Sequence, residues 1–231
     1  MNKYELIKKI EDFAPLETQE KWDCSGWGVV VNRGVNGGAT NEIHKVLFAL
    51  TVTTKVFAQA LKLGCDLIIS HHPLFYVPLE YKKIDIYCAH TNFDKAIGGT
   101  TDLLLSALNF EGKPYNDFVR IVELENEMSV DFLKVKLLQI SPRLRVVNNN
   151  ETKFIKTIGF CAGSGSEFIS ETPCDAFVTG DVKFHTAVET NKVIFDIGHF
   201  ESEIFAVKKL KSLTGLNDRE GIIADEKSPF I

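Results

Sequence analysis

Apolar residues fall along this chain at two intervals, and the alternation between them predicts its elements. Leu6, Ile7, Ile10 and Phe13 recur at the spacing of one helix face, behind Asn2 as N-cap, and Pro15 ends the run. Lys45–Leu50 is a short continuous apolar run that predicts a buried strand. Thr53 or Thr54 then caps a helix that Gly64 stops after Leu63. Asp66–Ser70 and Ile84–Ala89 predict further strands, and Thr101–Leu108 a short helix. In the second half, Ser129 caps a helix to about Leu138, and strands are expected at Leu144–Val147, Thr157–Cys161, Ala176–Thr179 and Val193–Ile197. A last helix is expected from about Glu201 to Leu213. Such alternation predicts an α/β protein with largely buried, mixed sheets. The polar stretch Glu123–Glu127 is the expected seam between two lobes, residues 1–125 and 126–231.

Composition narrows the picture. The chain has 231 residues, 45% apolar and 25% charged, as an ordinary globular protein has. A formal net charge of −5 argues against nucleic acid as partner. The N-terminus lacks the apolar core and cleavage site of a signal peptide, and no apolar run approaches spanning length, so a cytoplasmic protein without a membrane partner is expected. Five scattered cysteines without a C-x-x-C pair are read as reduced thiols.

Three polar clusters follow expected strands, where ligands collect in open α/β sheets. The first is Ser70-His71-His72-Pro73. Neighbouring residues on a regular strand face opposite ways, so both imidazoles share a pocket only if the chain turns there, and Pro73 gives a reason for a turn. One buried and one exposed histidine is the plainer alternative. The second cluster holds His90 and Asp94; Asp94 is a candidate carboxylate ligand or a helix-dipole partner, and His90 a ligand or a residue that orients one. In the third, His199 and Glu203 have the i,i+4 spacing of one helix face, Gly198 allows a tight turn before them, and Glu201 points elsewhere. Imidazoles and carboxylates together suit one or two divalent ions.

Two glycine-containing turns stay open between readings. Cys161–Ser166 is either a phosphate-binding turn or a plain strand–helix connection. In Thr179–His185, the residues Asp181, Lys183 and His185 either act on substrate and protons or belong to a solvated loop.

Taken together, these segments resemble the NIF-three-like family, whose bacterial members carry the name GTP cyclohydrolase 1 type 2 homologues. The matching pieces are Trp22-Asp23 with Gly26, Ser70–Phe75, Ala89–Asp94, Gly98-Gly99, Gly163–Gly165, Thr179–Lys183 with His185, and Gly198-His199 with Ser202-Glu203. They stand in the family's order and run through most of the chain. Cys24 and Trp27 depart from the usual Asn and Leu after the Trp-Asp pair. The resemblance implies a short form without an inserted domain. It also implies two similar packed α/β lobes with a dinuclear metal site in the cleft between them, and a toroidal homohexamer. The family's ligand pattern falls on His71, His72, Asp94, His199 and Glu203.

The expected function is therefore a divalent-metal-dependent hydrolase of a nucleotide-like substrate, with ring-opening hydrolysis of GTP as its named form. Two ions per chain are expected, and the mixed nitrogen and oxygen donors suit zinc, iron or manganese. His185 is the candidate proton carrier and Lys183 the candidate phosphate contact. His90 and Asp181 are candidate residues behind the ligands. The alternative from another class is a metal-binding assembly or adaptor protein without catalysis.

Overall fold

A computed structural model describes residues 1–31 and 41–230. From the N-terminus the elements are α1 (Lys3–Phe13), β1 (Gly26–Val29), β2 (Val46–Ala49), α2 (Thr54–Leu63), β3 (Leu67–Ser70), β4 (Asp85–Cys88) and α3 (Thr91–Lys95). Next come α4 (Thr100–Ala107), β5 (Lys113–Pro114), β6 (Arg120–Ser129), α5 (Val130–Leu138), β7 (Arg145–Val147), β8 (Phe154–Ser164), β9 (Ala176–Gly180), α6 (Phe184–Glu189), β10 (Val193–Asp196) and α7 (His199–Glu203). Last are α8 (Phe205–Thr214) and β11 (Gly221–Ile223).

The chain forms two compact units, Met1–Ala96 with Ala206–Lys227, and Ile97–Phe205 with Ser228–Ile231. The first holds a five-stranded sheet in the order β1-β4-β3-β2-β11. Only β1 runs antiparallel there. Every residue of β2, β3 and β4 is buried, as parallel strands covered on both faces must be. Val56, Phe57 and Ala60 of α2 pack on Leu47, Ile68 and Ile86 to make this unit's core. Thr53 caps α2 by accepting the Val56 N–H, and Gly64 ends the helix in the left-handed conformation (φ 66°). Buried Lys3 pairs with buried Asp85 at 2.8 Å, which ties α1 to β4.

The second unit holds a six-stranded sheet in the order β5-β6-β8-β9-β10-β7. Strands β8, β9 and β10 are parallel, and β5, β6 and β7 add antiparallel edges. Leu104, Leu133 and Leu137 pack on Ile158, Phe160, Val178 and Phe195.

Two expectations differ from this arrangement. Glu123–Glu127 is not a seam. It lies within β6, whose partner β5 reaches only Arg120 and Ile121, so the charged stretch is a sheet edge, where charge discourages further pairing. The first unit instead ends at Ala96 and regains the chain at Ala206, because β11 pairs in parallel with β2. The single helix expected over Glu201–Leu213 is two helices, α7 and α8, and the chain passes from one unit to the other between Phe205 and Ala206. Among the described residues, no helix is long and apolar enough to cross a membrane.

Candidate functional site

In the first unit, β3 stops at Ser70, so His71 and His72 lie beyond the alternation of the strand. Their backbones still follow β2: His71 N–H donates to Ala49 O at 3.1 Å and His72 N–H to Leu50 O at 2.9 Å. The turn brings both rings to one side, with centroids 5.0 Å apart. His90, just before α3, completes a triangle, 5.2 Å from His71 and 5.6 Å from His72. Ligand nitrogens of the three lie within 4.8 Å of one another, close enough to share a metal ion.

Hydrogen bonds fix how these rings are presented. His71 is fully buried, and its Nδ1 lies 2.8 Å from Ala89 O. A carbonyl only accepts, so Nδ1 carries a proton, and in the neutral ring Nε2 holds the lone pair. That Nε2 lies 3.4 Å from Asp94 Oδ1. A carboxylate oxygen and a ring nitrogen at this distance could share a proton or a metal cation. Asp94 sits in the single turn of α3, where its N–H donates to His90 O at 2.9 Å.

His90 is set in the same way by a residue 67 positions earlier. Its Nδ1 donates to Asp23 Oδ1 at 2.9 Å, which turns Nε2 toward the other imidazoles. Asp23 also accepts from the Thr91 and Cys24 N–H groups and from the Ser25 and Thr91 hydroxyls. Burial alone would raise the Asp23 pKa, but its hydrogen bonds from Thr91 and His90 outweigh that and hold the carboxyl well below the usual range. Asp23 therefore stays anionic and keeps His90 in register.

In the second unit, Asp196 ends β10, and Gly198 (φ 84°) makes the turn into α7. His199 and buried Glu203 face each other across one helical turn, with Nε2 to Oε2 2.9 Å. The other ring nitrogen donates to Asp181 Oδ2 at 2.7 Å. Asp181 adopts a left-handed backbone (φ 53°), which aspartate tolerates better than most residues. Burial disfavours the charged imidazole, yet hydrogen bonds and charge from Glu203 and Asp181 prevail and raise His199 to about 9. Without metal, a proton thus sits between His199 and Glu203, where a cation could replace it.

Glycines give α7 its room. Gly163 (φ 71°) lies so close to Glu203 that a Cβ there would come within 2.2 Å of Oε1. A Cβ on Gly180 would lie 2.7 Å from the His199 backbone nitrogen and 2.8 Å from Gly163 O. Those neighbours are backbone and cannot swing aside. Gly180→Ala is therefore expected to cost about 3 kcal/mol through overpacking. A fall in melting temperature of roughly 6–12 °C would accompany it, read by calorimetry. Melting within 2 °C of the parent, on the order of 1 kcal/mol or less, would mean that β9 and α7 are not packed this tightly.

Gly163 and Gly165 decide between the two readings of Cys161–Ser166. Gly163 N–H donates to Ser202 Oγ at 2.8 Å and Gly165 N–H to Thr179 Oγ1 at 2.9 Å. Both amides are committed inside the fold, and the helical turn that follows spans only Ser166–Phe168. The segment is a packed strand end, not a phosphate cradle. Lys183 and His185 are exposed at the start of α6, and His185 lines a surface recess with Ser166, Glu189 and Lys192. Glu201 turns away from Glu203 to line a cavity with Arg143, Arg145 and Asp196.

The first unit thus groups three imidazoles with Asp94 and Asp23 beside them, the second sets His199 between Glu203 and Asp181, and histidines and carboxylates so grouped could hold metal ions. Sequence reasoning did not single out Asp23 as the partner of His90 or Thr51 as a partner of His72, whose Nδ1 lies 2.7 Å from Thr51 Oγ1. A polar residue just past a buried strand was the signal available at Thr51. All five cysteines are reduced thiols, and burial pushes Cys65 and Cys174 to about 11 and Cys88 to about 12.

Comparison with known proteins gives a consistent result. The profile of the Duf34/NIF3 (NGG1p interacting factor 3) family matches residues 1–220. A GTP cyclohydrolase 1 type 2 homolog of Clostridium perfringens is 31% identical, over 98% of this chain and 97% of the relative. Its counterpart in Campylobacter jejuni is 32% identical over the same shares. Among solved structures, reduced HcgD from Methanocaldococcus jannaschii superposes with a TM-score of 0.81 at 27% identity, covering 98% of both chains.

Proposed function

The chain belongs to the Duf34/NIF3 family, and from that membership we propose that it is a divalent-metal-dependent hydrolase of a nucleotide-like substrate. Its specific form in this proposal is the ring-opening hydrolysis of GTP, the activity in the names of its relatives. The observation that carries the reading is the way the histidines are held. His71 and His199 each give Nδ1 to an acceptor, Ala89 O and Asp181, so that Nε2 is the nitrogen offered for ligation, and Asp23 sets His90 in the same way beside His71. Fixed tautomers of this kind are typical of metal-ligating histidines.

In this proposal His71, His72 and Asp94 of the first unit and His199 and Glu203 of the second bind two divalent ions. His90 and Asp181 orient the ligands. Nitrogen and carboxylate donors together favour zinc, iron or manganese over calcium. Bound ions would supply Lewis acidity and lower the pKa of water to near neutral. Lys183, two residues after Asp181, takes the role of phosphate contact, and His185 that of proton carrier. Phe75, Tyr76 and Leu79, each more than three-quarters exposed, would find cover in self-association, which the proposal takes as a homohexamer in the cytoplasm. The same apolar surface favours the second reading, a metal-binding assembly or adaptor protein without turnover.

Metal-depleted protein reloaded with zinc, manganese or iron tests the proposal by metal stoichiometry and by GTP turnover followed by mass. Two ions per chain and a product heavier than GTP by one water are expected. A fully loaded sample that leaves GTP intact beside an active control would retire the cyclohydrolase form, and failure to take up any of the metals would retire the metal site.

A further inference from the structure

We propose that Thr51 and Glu226 act as a positioning relay for His72, holding its proton on Nδ1 so that Nε2 is the nitrogen that ligates metal. The inference rests on the metal-site reading above and adds to it how one ligand is oriented.

The relay begins at the end of the chain. Strand β11 runs parallel beside β2, and Ala224 N–H extends the ladder to Phe48 O at 2.8 Å. Glu226 is thereby placed beyond the last residue of β2, where the backbone has left the sheet. Its carboxylate takes the Leu50 N–H at 2.6 Å and the Thr51 N–H at 3.0 Å, one on each oxygen. These two amides would otherwise need other partners, so the carboxylate fixes the turn between β2 and α2.

That turn carries the other half of the contact. Thr51 Oγ1 lies 2.7 Å from His72 Nδ1, while Leu50 O accepts the His72 N–H at 2.9 Å. Two successive residues, both pinned by Glu226, therefore hold the backbone and the ring of His72. With Nδ1 engaged by Thr51, ligation by His72 falls to Nε2.

Thr51 differs in kind from the other partners. Ala89 O, Asp23 and Asp181 accept a proton and do not offer one, whereas a hydroxyl does either. If the Thr51 hydroxyl donated to Nδ1, the neutral ring would carry its proton on Nε2 and could not ligate through that atom. The proposal requires the opposite sense: His72 Nδ1–H donates and Thr51 Oγ1 accepts. His72 is thus the ligand whose partner, a hydroxyl, can fix either tautomer.

The test compares the full chain with Thr51→Val, which keeps the shape and removes the hydroxyl, with Thr51→Ser, which restores it, and with Glu226→Ala. Two readouts are taken. Long-range proton–nitrogen NMR of the metal-free protein gives the His72 tautomer, and competition with a chromophoric chelator gives zinc affinity. Nδ1–H is expected in the parent and in Thr51→Ser. Thr51→Val is expected to populate the Nε2–H form and to lose roughly 10–100-fold in zinc affinity, with serine restoring most of it. Glu226→Ala should lose about tenfold, because it releases the turn but keeps the hydroxyl. An Nε2–H parent, or a Thr51→Val protein with the parent's tautomer or zinc affinity, would overturn the relay; parental values in Glu226→Ala would remove Glu226 from it. Should the valine variant not fold, Thr51→Ala against Thr51→Ser gives the same comparison. A parent that takes up no zinc, yet whose His72 tautomer answers to Thr51, would refute the metal reading and leave the relay standing.

Discussion

Metal affinity at His199 and Glu203 is expected to fall about tenfold for each pH unit below 9, roughly 300-fold between pH 9 and 6.5. The cause is the proton that already occupies this pair. Asp181 and Glu203 raise His199 from 6.5 to about 9 in the metal-free protein, so binding at neutral pH has to expel that proton. The stability of the metal-free protein should have the opposite slope. A histidine whose folded pKa is raised contributes stability that is complete below its unfolded value, near 6.5, and is lost as pH rises through about 9. Metal-free protein should therefore melt lower as pH climbs through that window, while zinc-loaded protein gains. Competition titrations with zinc at half-unit steps, beside thermal melts of both forms, measure the two slopes. Affinity independent of pH from 6.5 to 9 would show that His199 is not a ligand.

Much of this arrangement is legible in the chain because the signals are local. Thr53, Gly64 and Ser129 cap where a cap-forming residue meets an apolar period, and the helices begin or end beside them. The buried strands β2, β3 and β4 are short apolar runs bounded by polar residues, and the His pair lies just where the second of them, Leu67–Ser70, stops. Glu123–Glu127 misled for a physical reason. A charged run reads as solvated, and it is solvated, but as the free edge of a strand whose neighbour is two residues long.

Partners brought together by the fold are what the chain hides. Asp23 reaches His90 across 67 positions, and Glu226 reaches Thr51 across 175. No periodicity links such residues; strand order does. Parallel pairing of β11 with β2 sets Glu226 above the turn, and antiparallel pairing of β1 with β4 sets the segment before β1, with Asp23, beside the end of β4. The glycines show the same limit. Gly163 and Gly165 resemble a phosphate-binding turn in sequence, and only the approach of Glu203 and Thr179 shows that they serve packing.

Removing one carboxylate should separate the ligand reading of Asp94 from its dull alternative. As an ordinary acidic residue in the first turn of α3, Asp94 would contribute only about 0.3–1 kcal/mol to the helix, and Asp94→Ala would lower the melting point slightly without touching metal content. As a ligand it supplies a carboxylate oxygen 3.4 Å from His71 Nε2. Its loss removes one of the two carboxylates that offset the ions' charge in the proposal, and since even residues behind a ligand are worth 10–100-fold in metal affinity, a fall of at least about 100-fold is expected. Metal content after dialysis should drop by one ion per chain or more, while circular dichroism stays at the parental spectrum. Sedimentation of the same variant decides what the metal is for. An assembly that persists without metal leaves the ions to chemistry, whereas dissociation with metal loss would assign them to holding the assembly. Parental metal content in Asp94→Ala would end the ligand assignment and return Asp94 to its part in the helix.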